Sequence, residues 1–292
     1  MVESRPVSRA PLTAFVLAGG GSLGAVQVGM LEALVARGVR ADLVVGASVG
    51  AVNGAYYAAT PDSVGVRRLE KIWCGLRRND VFPHAATSGL LALLARRSHL
   101  FSPMPFAGLL RRHLPYERLE DARIPCHVIA TDVLSGEEVR LSRGPLVASL
   151  CATAALPGLH PPVEIGGRYL MDGGVANHTP ISAAVALGAE RVIVLPTGVP
   201  CALERPPRSA VGMALHALNL LTTGRIAADV ARFSTAVELI VVPPLCPFAI
   251  SSYDFGHAAE LIARAEASTK QWLADGGLEQ RGVPASLEPH GH

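Results

Sequence analysis

Aromatic residues are scarce in this sequence, and neither sign of charge dominates it. Phe, Trp and Tyr make up 5% of the 292 residues, and the formal net charge at pH 7 is only +2. Proteins that bind nucleic acid usually present a basic surface, and many stack bases on aromatic side chains. Because the composition supplies neither feature, we expect no nucleic-acid partner.

Cysteine pairs and long apolar runs are also missing. The five cysteines show no Cys-x-x-Cys spacing, which argues against a disulfide framework or a zinc site and predicts free thiols in a reducing compartment. No stretch reaches the roughly 20 uninterrupted apolar residues of a membrane-spanning helix. The short apolar run 14–18 stops at three glycines and fits a buried strand better than a signal peptide. We therefore expect a cytoplasmic protein that needs no metal or cofactor, with at most peripheral membrane contact.

Half of the residues are hydrophobic, and they fall into alternating strand and helix patterns. This alternation predicts an α/β fold, a three-layer α/β/α sandwich with a largely parallel central sheet. No repeat or long linker divides the chain. We expect one domain over residues 12–275, with flexible tails at 1–11 and 276–292, and the sequence leaves the oligomeric state open.

The most informative stretch is an apolar run that ends in Gly46-Ala47-Ser48-Val49-Gly50. It fits the Gly-x-Ser-x-Gly nucleophile elbow, in which a strand turns sharply into a helix and leaves the serine at the tip in a strained conformation. A side chain at Gly46 or Gly50 would collide with neighbouring backbone. Small residues can also simply let a helix pack on a strand, so the pentapeptide alone leaves both interpretations open.

Two further clusters follow predicted strands, where open α/β sheets place their active sites. The loop Gly19-Gly20-Gly21-Ser22-Leu23-Gly24 can aim bare N–H groups at a developing negative charge, as an oxyanion hole does. The same loop also fits the Gly-x-Gly-x-x-Gly dinucleotide fingerprint. Dinucleotide binding needs an acidic residue after the second strand, whereas Asp42 comes before that strand. The other cluster is Asp172-Gly173-Gly174.

A serine nucleophile also needs a base. In α/β-hydrolases the elbow follows several strands and the base is a histidine, whereas here the elbow follows the second strand. His257 belongs to a predicted helix start. His178, six residues after Asp172, is the better histidine candidate.

Together, the glycine loop, the elbow and the Asp-Gly-Gly cluster resemble the patatin-like phospholipase family in order and spacing. The resemblance runs from about Thr13 to Val199 and more loosely to Ala274. It implies a Ser–Asp dyad with Ser48 as nucleophile and Asp172 as base. The implied oxyanion donors are the N–H groups of Gly20, Gly21 and Ser22. The remaining motif positions, which shape the backbone, are Gly19, Gly24, Gly46, Gly50, Gly173 and Gly174.

The resemblance implies a serine acyl hydrolase that cleaves fatty-acyl esters of (lyso)phospholipids or related lipids through an acyl-enzyme. Leu23 departs from the family pattern, which usually has Arg or Lys at that position, and this weakens the case for phospholipid more than the case for hydrolysis. A lipid transacylase would use the same residues with an alcohol in place of water. A non-catalytic lipid-binding regulator could keep the same fold.

Apolar segments between residues 88 and 110 predict an apolar groove that binds an acyl chain. Within them, Leu90 to Arg97 has a leucine-rich run followed by a basic end, and it is the segment most compatible with a lid or with a membrane surface. An ordinary core helix with a solvated end would have the same pattern.

Overall fold

A computed structural model describes residues 10–82, 99–198, 205–207, 210–247 and 249–287. The predicted segment Leu90 to Arg97 lies outside these residues. The described strands are β1 (Thr13–Leu17), β2 (Leu43–Ala47), β3 (Cys126–Asp132), β4 (Glu138–Leu141), β5 (Val163–Ile165), β6 (Arg168–Asp172), β7 (Arg191–Leu195) and β8 (Glu238–Val241).

These strands form one mixed sheet in the order β5-β6-β3-β2-β1-β7-β8, with β4 also paired to β3. Five neighbouring strands run parallel to one another, in the spatial order β3, β2, β1, β7 and β8. The β5–β6 hairpin and β4 are antiparallel additions at one side. Every residue of β1 and β2 is buried, as expected for parallel strands with helices on both faces.

The described helices are α1 (Gly24–Ala36), α2 (Val49–Ala59), α3 (Ser63–Gly75), α4 (Arg78–Val81), α5 (Met104–His113), α6 (Leu146–Thr153), α7 (Gly174–Asn177), α8 (Ile181–Ala186), α9 (Ala210–Phe233) and α10 (Ala258–Ala274). Helices α1, α2, α3 and α10 pack in one core on one face of the sheet. Helices α8 and α9 pack on the other face. The three-layer α/β/α sandwich with a largely parallel sheet is therefore confirmed.

The side-chain pattern of each helix matches its place in these layers. Helix α1 is apolar nearly all round because it lies between the sheet, α3 and α10. Helix α3 is amphipathic and buries Val66, Leu69 and Trp73. It begins where the Asp62 carboxylate accepts hydrogen bonds from the N–H groups of Val64 and Gly65 at 2.8 and 3.0 Å.

The C-terminal segment from residue 276, for which the sequence predicts a flexible tail, has contacts with the rest of the fold. Two 3-10 helices, Gly277–Glu279 and Ala285–Leu287, follow α10. Gln280 Oε1 accepts a hydrogen bond from Trp272 Nε1 at 3.1 Å, and Leu278 packs against the core. The glycines and polar residues of this segment give no local signal of these tertiary contacts.

Within the described part of the chain, no helix combines the length and the apolar character needed to cross a membrane.

Candidate active site

Ser48 lies at the turn between β2 and α2, in a strained backbone conformation. Its φ of 52° and ψ of −126° make it the one non-glycine residue with positive φ among the described residues. Such a conformation costs about 1–3 kcal/mol and persists only where the surroundings impose it. The structure therefore has a strained serine at the turn between a strand and a helix, as the motif predicts.

The glycines on either side make this turn possible. A Cβ atom at Gly46 would overlap the backbone of Gly50 and Ala51, 2.5 Å away. One at Gly50 would overlap the carbonyl groups of Leu17 and Ala18 on the neighbouring strand. The predicted collision with backbone is confirmed at both positions, so both glycines serve the close approach of α2 to the sheet.

Thr153, at the end of α6, stabilises the turn at Ser48 through hydrogen bonds. The sequence analysis did not identify this residue. Its hydroxyl accepts a hydrogen bond from the N–H of Ser48 at 2.8 Å and donates one to the carbonyl of Ile129. The Gly173 N–H also donates to the Thr153 carbonyl at 3.2 Å. One fully buried threonine thus ties the serine turn to β3 and to the Asp172 loop. A threonine in an apolar helix gives no local signal of this role.

Asp172 ends β6 and meets Ser48 directly. In the sheet register, Ala47 pairs with Ile129 and Ala130 pairs with Asp172, so the two residues reach the same level on either side of β3. The Ser48 hydroxyl donates a hydrogen bond to Asp172 Oδ2 at 2.7 Å. The Gly174 N–H donates to Oδ1 at 2.8 Å. Both carboxylate oxygens are therefore held, one by the serine and one by the backbone.

Burial changes the acidity of this carboxyl group. Asp172 is 2% exposed, and desolvation raises its pKa to about 6, against the opposing effect of its two hydrogen bonds. The group is still ionised at neutral pH. It is a stronger base than an exposed aspartate, and it is already hydrogen-bonded to the serine proton.

The glycine loop lies beside Ser48 and has an unusual backbone. Gly20 and Gly21 have φ values of 150° and 60°, and a side chain at Gly20 would overlap Thr197. The Thr197 hydroxyl donates to the Gly19 carbonyl at 2.6 Å. Gly20, Gly21, Ser48 and Asp172 all line one pocket of about 500 Å³.

Ser22 departs from its predicted role as an oxyanion donor. Its N–H donates to the Ser252 carbonyl at 2.9 Å, and its hydroxyl donates to the Ser251 carbonyl at 3.1 Å. Both groups therefore anchor the 251–252 segment. No comparable hydrogen bond engages the N–H of Gly20 or Gly21 within the described residues. The sequence could not show that a segment some 230 positions away would occupy the Ser22 amide.

His178 lines the same pocket but does not hydrogen-bond to Ser48. Its imidazole packs beneath Gly19, where a Cβ atom would come within 2.9 Å of the ring, and beside Gly174. Burial lowers its pKa to about 4, so the ring is neutral at physiological pH. The structure therefore pairs Ser48 with Asp172 and gives His178 a packing position under two motif glycines.

The dinucleotide interpretation of the glycine loop finds no support. The Asp42 carboxylate accepts a hydrogen bond from the Thr13 N–H at 2.8 Å, at the start of β1. This is the end of the parallel strands opposite to Ser48, so Asp42 cannot reach a ligand bound at the loop.

A buried polar network supports the loop and the elbow from inside the helical layer. Gln27 Nε2 donates to the carbonyls of Ala18 and Leu195 at 2.8 and 2.9 Å. Asn53 Nδ2 donates to Gln27 Oε1, and Trp73 Nε1 donates to Asn53 Oδ1, both at 2.9 Å. In the sequence, this network is indicated by polar residues that lie inside otherwise apolar helices. This chain of bonds links α1, α2 and α3 behind the site.

Comparisons with known proteins identify the family to which this chain belongs. A model of the patatin-like phospholipase family matches residues 15–185, more than half of the chain. The chain therefore belongs to the patatin-like phospholipase family. The matched range contains all three predicted motifs.

Individual relatives are similar over the same part of the chain. A patatin-like phospholipase domain-containing protein of Caenorhabditis elegans is 35% identical over 186 residues, which cover 63% of this chain and 13% of that protein. An NTE family protein of Mycobacterium tuberculosis is 31% identical over 198 residues, covering 64% and 49%. The chain thus spans at most about half the length of these relatives.

Among solved structures, VipD from Legionella pneumophila matches with a TM-score of 0.49 and 16% identity, over 92% of this chain and 68% of that one. Human GIVD cytosolic phospholipase A2 matches with a TM-score of 0.46 and 14% identity, over 95% and 59%.

Proposed function

We propose that this protein is a serine acyl hydrolase that cleaves fatty-acyl esters of (lyso)phospholipids or related lipids. The observation that carries the proposal is the 2.7 Å hydrogen bond from the hydroxyl of a strained elbow serine to a buried carboxylate. Membership of the patatin-like phospholipase family supports it independently.

In the proposed first step, Asp172 Oδ2 takes the proton of the Ser48 hydroxyl as its oxygen attacks the ester carbonyl. The tetrahedral intermediate then collapses, and the alcohol or lysolipid leaves with a proton returned by Asp172. Water, activated by the same carboxylate, attacks the acyl-enzyme and releases the fatty acid. The raised pKa of Asp172 suits it to accept and return a proton near neutral pH.

The N–H groups of Gly20 and Gly21 are the proposed donors to the oxyanion. Both residues line the pocket beside Ser48. A well-placed oxyanion donor contributes about 3–4 kcal/mol to stabilising the transition state. The N-terminus of α2, which begins right after Ser48, adds its positive dipole end.

An apolar chamber next to this pocket supports a lipid substrate. It contains about 710 Å³ of empty space, part of it open to solvent, and its wall includes Ser48 and Gly21 together with Val52, Trp73, Phe106 and Leu110. Apolar surface of this extent beside a nucleophile suits a fatty-acyl chain better than a short polar acyl group.

The test is hydrolysis of p-nitrophenyl esters of increasing chain length, and of lysophospholipid, by the wild-type protein and two variants. We expect turnover to grow with chain length. Ser48→Ala and Asp172→Asn should each lower kcat by at least roughly 10³-fold while circular dichroism remains unchanged. Retained turnover in folded Ser48→Ala would remove Ser48 as the nucleophile.

A matched control is Ser135→Ala, which changes an exposed serine in the turn between β3 and β4. Its turnover should equal that of the wild type. Adding a long-chain alcohol to the assay separates hydrolysis from acyl transfer, because a transacylase would accumulate the new ester.

A further inference from the structure

The solvent-facing side of α9 is apolar along most of its length. Three large hydrophobic side chains face solvent there, with exposed fractions of 44% at Met213, 52% at Leu220 and 71% at Leu221. The other exposed residues in the described part of this helix are two arginines and five small apolar residues, namely Ala217, Gly224, Ala227, Ala228 and Ala231. These exposed residues between Met213 and Arg232 form what we call the α9 surface. Single exposed leucines are ordinary, whereas a continuous apolar patch indicates an interaction site.

The same helix also forms part of the wall of the catalytic pocket. Leu218 and Thr222 line the pocket that contains Ser48 and Asp172. Leu221 lies three residues after Leu218, and residues at this spacing are neighbours on a helix surface. The α9 surface therefore begins beside the catalytic pocket, and anything that covers this surface lies next to the pocket as well.

The charges on α9 suit a layer of lipid headgroups. Arg225 and Arg232 are both exposed, and Arg225 follows Leu221 by one helical turn. Asp229, the one acidic residue of α9, is half-buried and lines a cleft together with both arginines and Glu138. The charge that α9 itself exposes is therefore positive. Arginine side chains can lie along apolar surface while their guanidinium groups contact lipid phosphates.

The dimensions of the α9 surface argue against a second copy of this chain as its partner. From Met213 to Arg232 the helix is about 30 Å long and about 10 Å wide. The resulting footprint of roughly 300 Å² is well below the roughly 800 Å² per partner of a standard protein–protein interface. A bilayer needs no matching protein shape, because an apolar helix face can enter it in the plane of the interface.

We infer that the α9 surface docks on a phospholipid bilayer, with Leu220 and Leu221 inserted into the interface and Arg225 and Arg232 at the level of the phosphates. The choice of a lipid partner rests on the proposed function, because a lipid hydrolase must take its substrate from a lipid surface. Docking in this orientation brings the wall of the catalytic pocket against the bilayer that holds the substrate.

The experiment measures sedimentation with vesicles of phosphatidylcholine and phosphatidylglycerol, using Ser48→Ala as the parent protein so that no lipid is consumed. Adding Leu220→Glu and Leu221→Glu together should weaken vesicle binding at least about tenfold, because two inserted leucines are replaced by charged groups. Absence of vesicle binding by the parent, or equal binding by the parent and the glutamate variant, overturns the inference.

Val64→Glu is the matched control for these substitutions. Val64 is 44% exposed, as is Met213, but it lies near the start of α3, beyond the end of α2 that is farthest from Ser48. This variant should bind vesicles as the parent does. Loss of binding in Val64→Glu equal to the loss in the glutamate variant of α9 would show that added negative charge, and not the α9 surface, determines binding.

Kinetics with Ser48 restored separate docking from catalysis. The two glutamates on α9 should lower kcat/KM for vesicle phospholipid by about the same factor as binding, and kcat/KM for the soluble ester p-nitrophenyl butyrate should be unchanged. An equal loss on both substrates contradicts a docking role. If neither substrate is hydrolysed by the wild type, the proposed function fails, while the sedimentation result still decides whether α9 binds the bilayer.

A variant that gains binding gives a result that misfolding cannot imitate. Ala217→Trp adds an interfacial aromatic ring to the α9 surface and should tighten vesicle binding at least about fivefold, whereas Val64→Trp should not. Equal effects of the two tryptophans contradict the assignment to α9. A dimer in solution that the glutamates at 220 and 221 convert to a monomer, seen by light scattering, would assign the surface to a second copy and overturn the inference.

Discussion

At the scale of single residues, the site depends on how Asp172 is buried. Its carboxylate is nearly inaccessible to water, yet both of its oxygens accept hydrogen bonds. Burial favours the protonated form, and the two hydrogen bonds favour the ionised form. The balance raises the pKa of this carboxyl group, the proposed base, to about 6, close to neutral pH.

This pKa predicts the pH dependence of catalysis. The base must be ionised to accept the serine proton, so kcat/KM should be constant above pH 7 and fall about tenfold per unit below a midpoint near pH 6. The measurement is kcat/KM for a soluble ester from about pH 4.5 to 8. His178→Asn should keep this midpoint. Loss of the acidic limb in that variant would assign the limb to the histidine and not to Asp172.

Thr153 offers a second test at this scale. Thr153→Val keeps the side-chain shape but leaves the Ser48 N–H and the Ile129 carbonyl without their shared partner. We expect the free energy of unfolding to drop by about 1–3 kcal/mol and kcat to fall with it. Thr153→Ser retains the hydroxyl and is the matched control. Equal denaturation curves and equal kcat for the two variants would show that the hydroxyl does not hold the elbow.

At the scale of secondary-structure elements, the close contact between α2 and the sheet sets the position of Ser48, which lies between them. Gly50 lets the first turn of α2 approach the carbonyls of Leu17 and Ala18. Gly54, one turn further along, has only ordinary contacts, since a Cβ atom there would be 3.8 Å from its nearest neighbours. The same substitution should therefore have opposite effects at the two positions.

Gly50→Ala should lower the free energy of unfolding by about 2–3 kcal/mol, because the added methyl group overlaps backbone that cannot move freely. Gly54→Ala should be neutral or should stabilise the protein by up to about 1 kcal/mol, because alanine favours the helix. Chemical denaturation of both variants measures the difference. Similar destabilisation by the two would show that the approach at Gly50 is not tight.

The sequence predicted most elements at this scale because they have strong local signals. The apolar run at 191–195 predicts a strand, and β7 has these bounds, while the small residues after Ser48 predict a helix to Ala59, where α2 ends. The sequence pattern predicts a last helix from Tyr253 to Ala274, but α10 begins at Ala258, since the Asp254 side chain first caps a 3-10 turn over Phe255–His257. Local patterns also gave Ser48 and Asp172. They could not give Thr153 or the occupied Ser22 amide, because both depend on partners far away in sequence.

At the scale of the whole molecule, the C-terminal segment packs against the end of α10, the core and the edge strand β8. Gly277 packs against the ring of Trp272, and Leu278 joins the core. Arg281 forms an ion pair with Glu238 of the edge strand β8, at 2.6 Å. These contacts make the segment part of the folded domain.

Truncation after Gly276 should therefore lower the free energy of unfolding by about 1–3 kcal/mol, mainly because the core loses Leu278 and the Trp272 ring becomes exposed. Arg281→Ala removes an exposed ion pair and two exposed hydrogen bonds to the carbonyls of Leu278 and Gln280, and it should cost less than the truncation, about 1 kcal/mol. Thermal denaturation of the two variants beside the full chain tests this. An unchanged melting temperature for the truncated chain would mean that the contacts contribute nothing.

The most direct test of the central claim, a Ser48–Asp172 dyad, is covalent labelling with a long-chain alkyl fluorophosphonate followed by peptide mass spectrometry. We predict a single adduct at Ser48, none in Ser48→Ala, and labelling at least roughly 10²-fold slower in Asp172→Asn, because that variant cannot take the serine proton. An adduct at another residue, or equal labelling rates in the wild type and Asp172→Asn, would contradict the dyad.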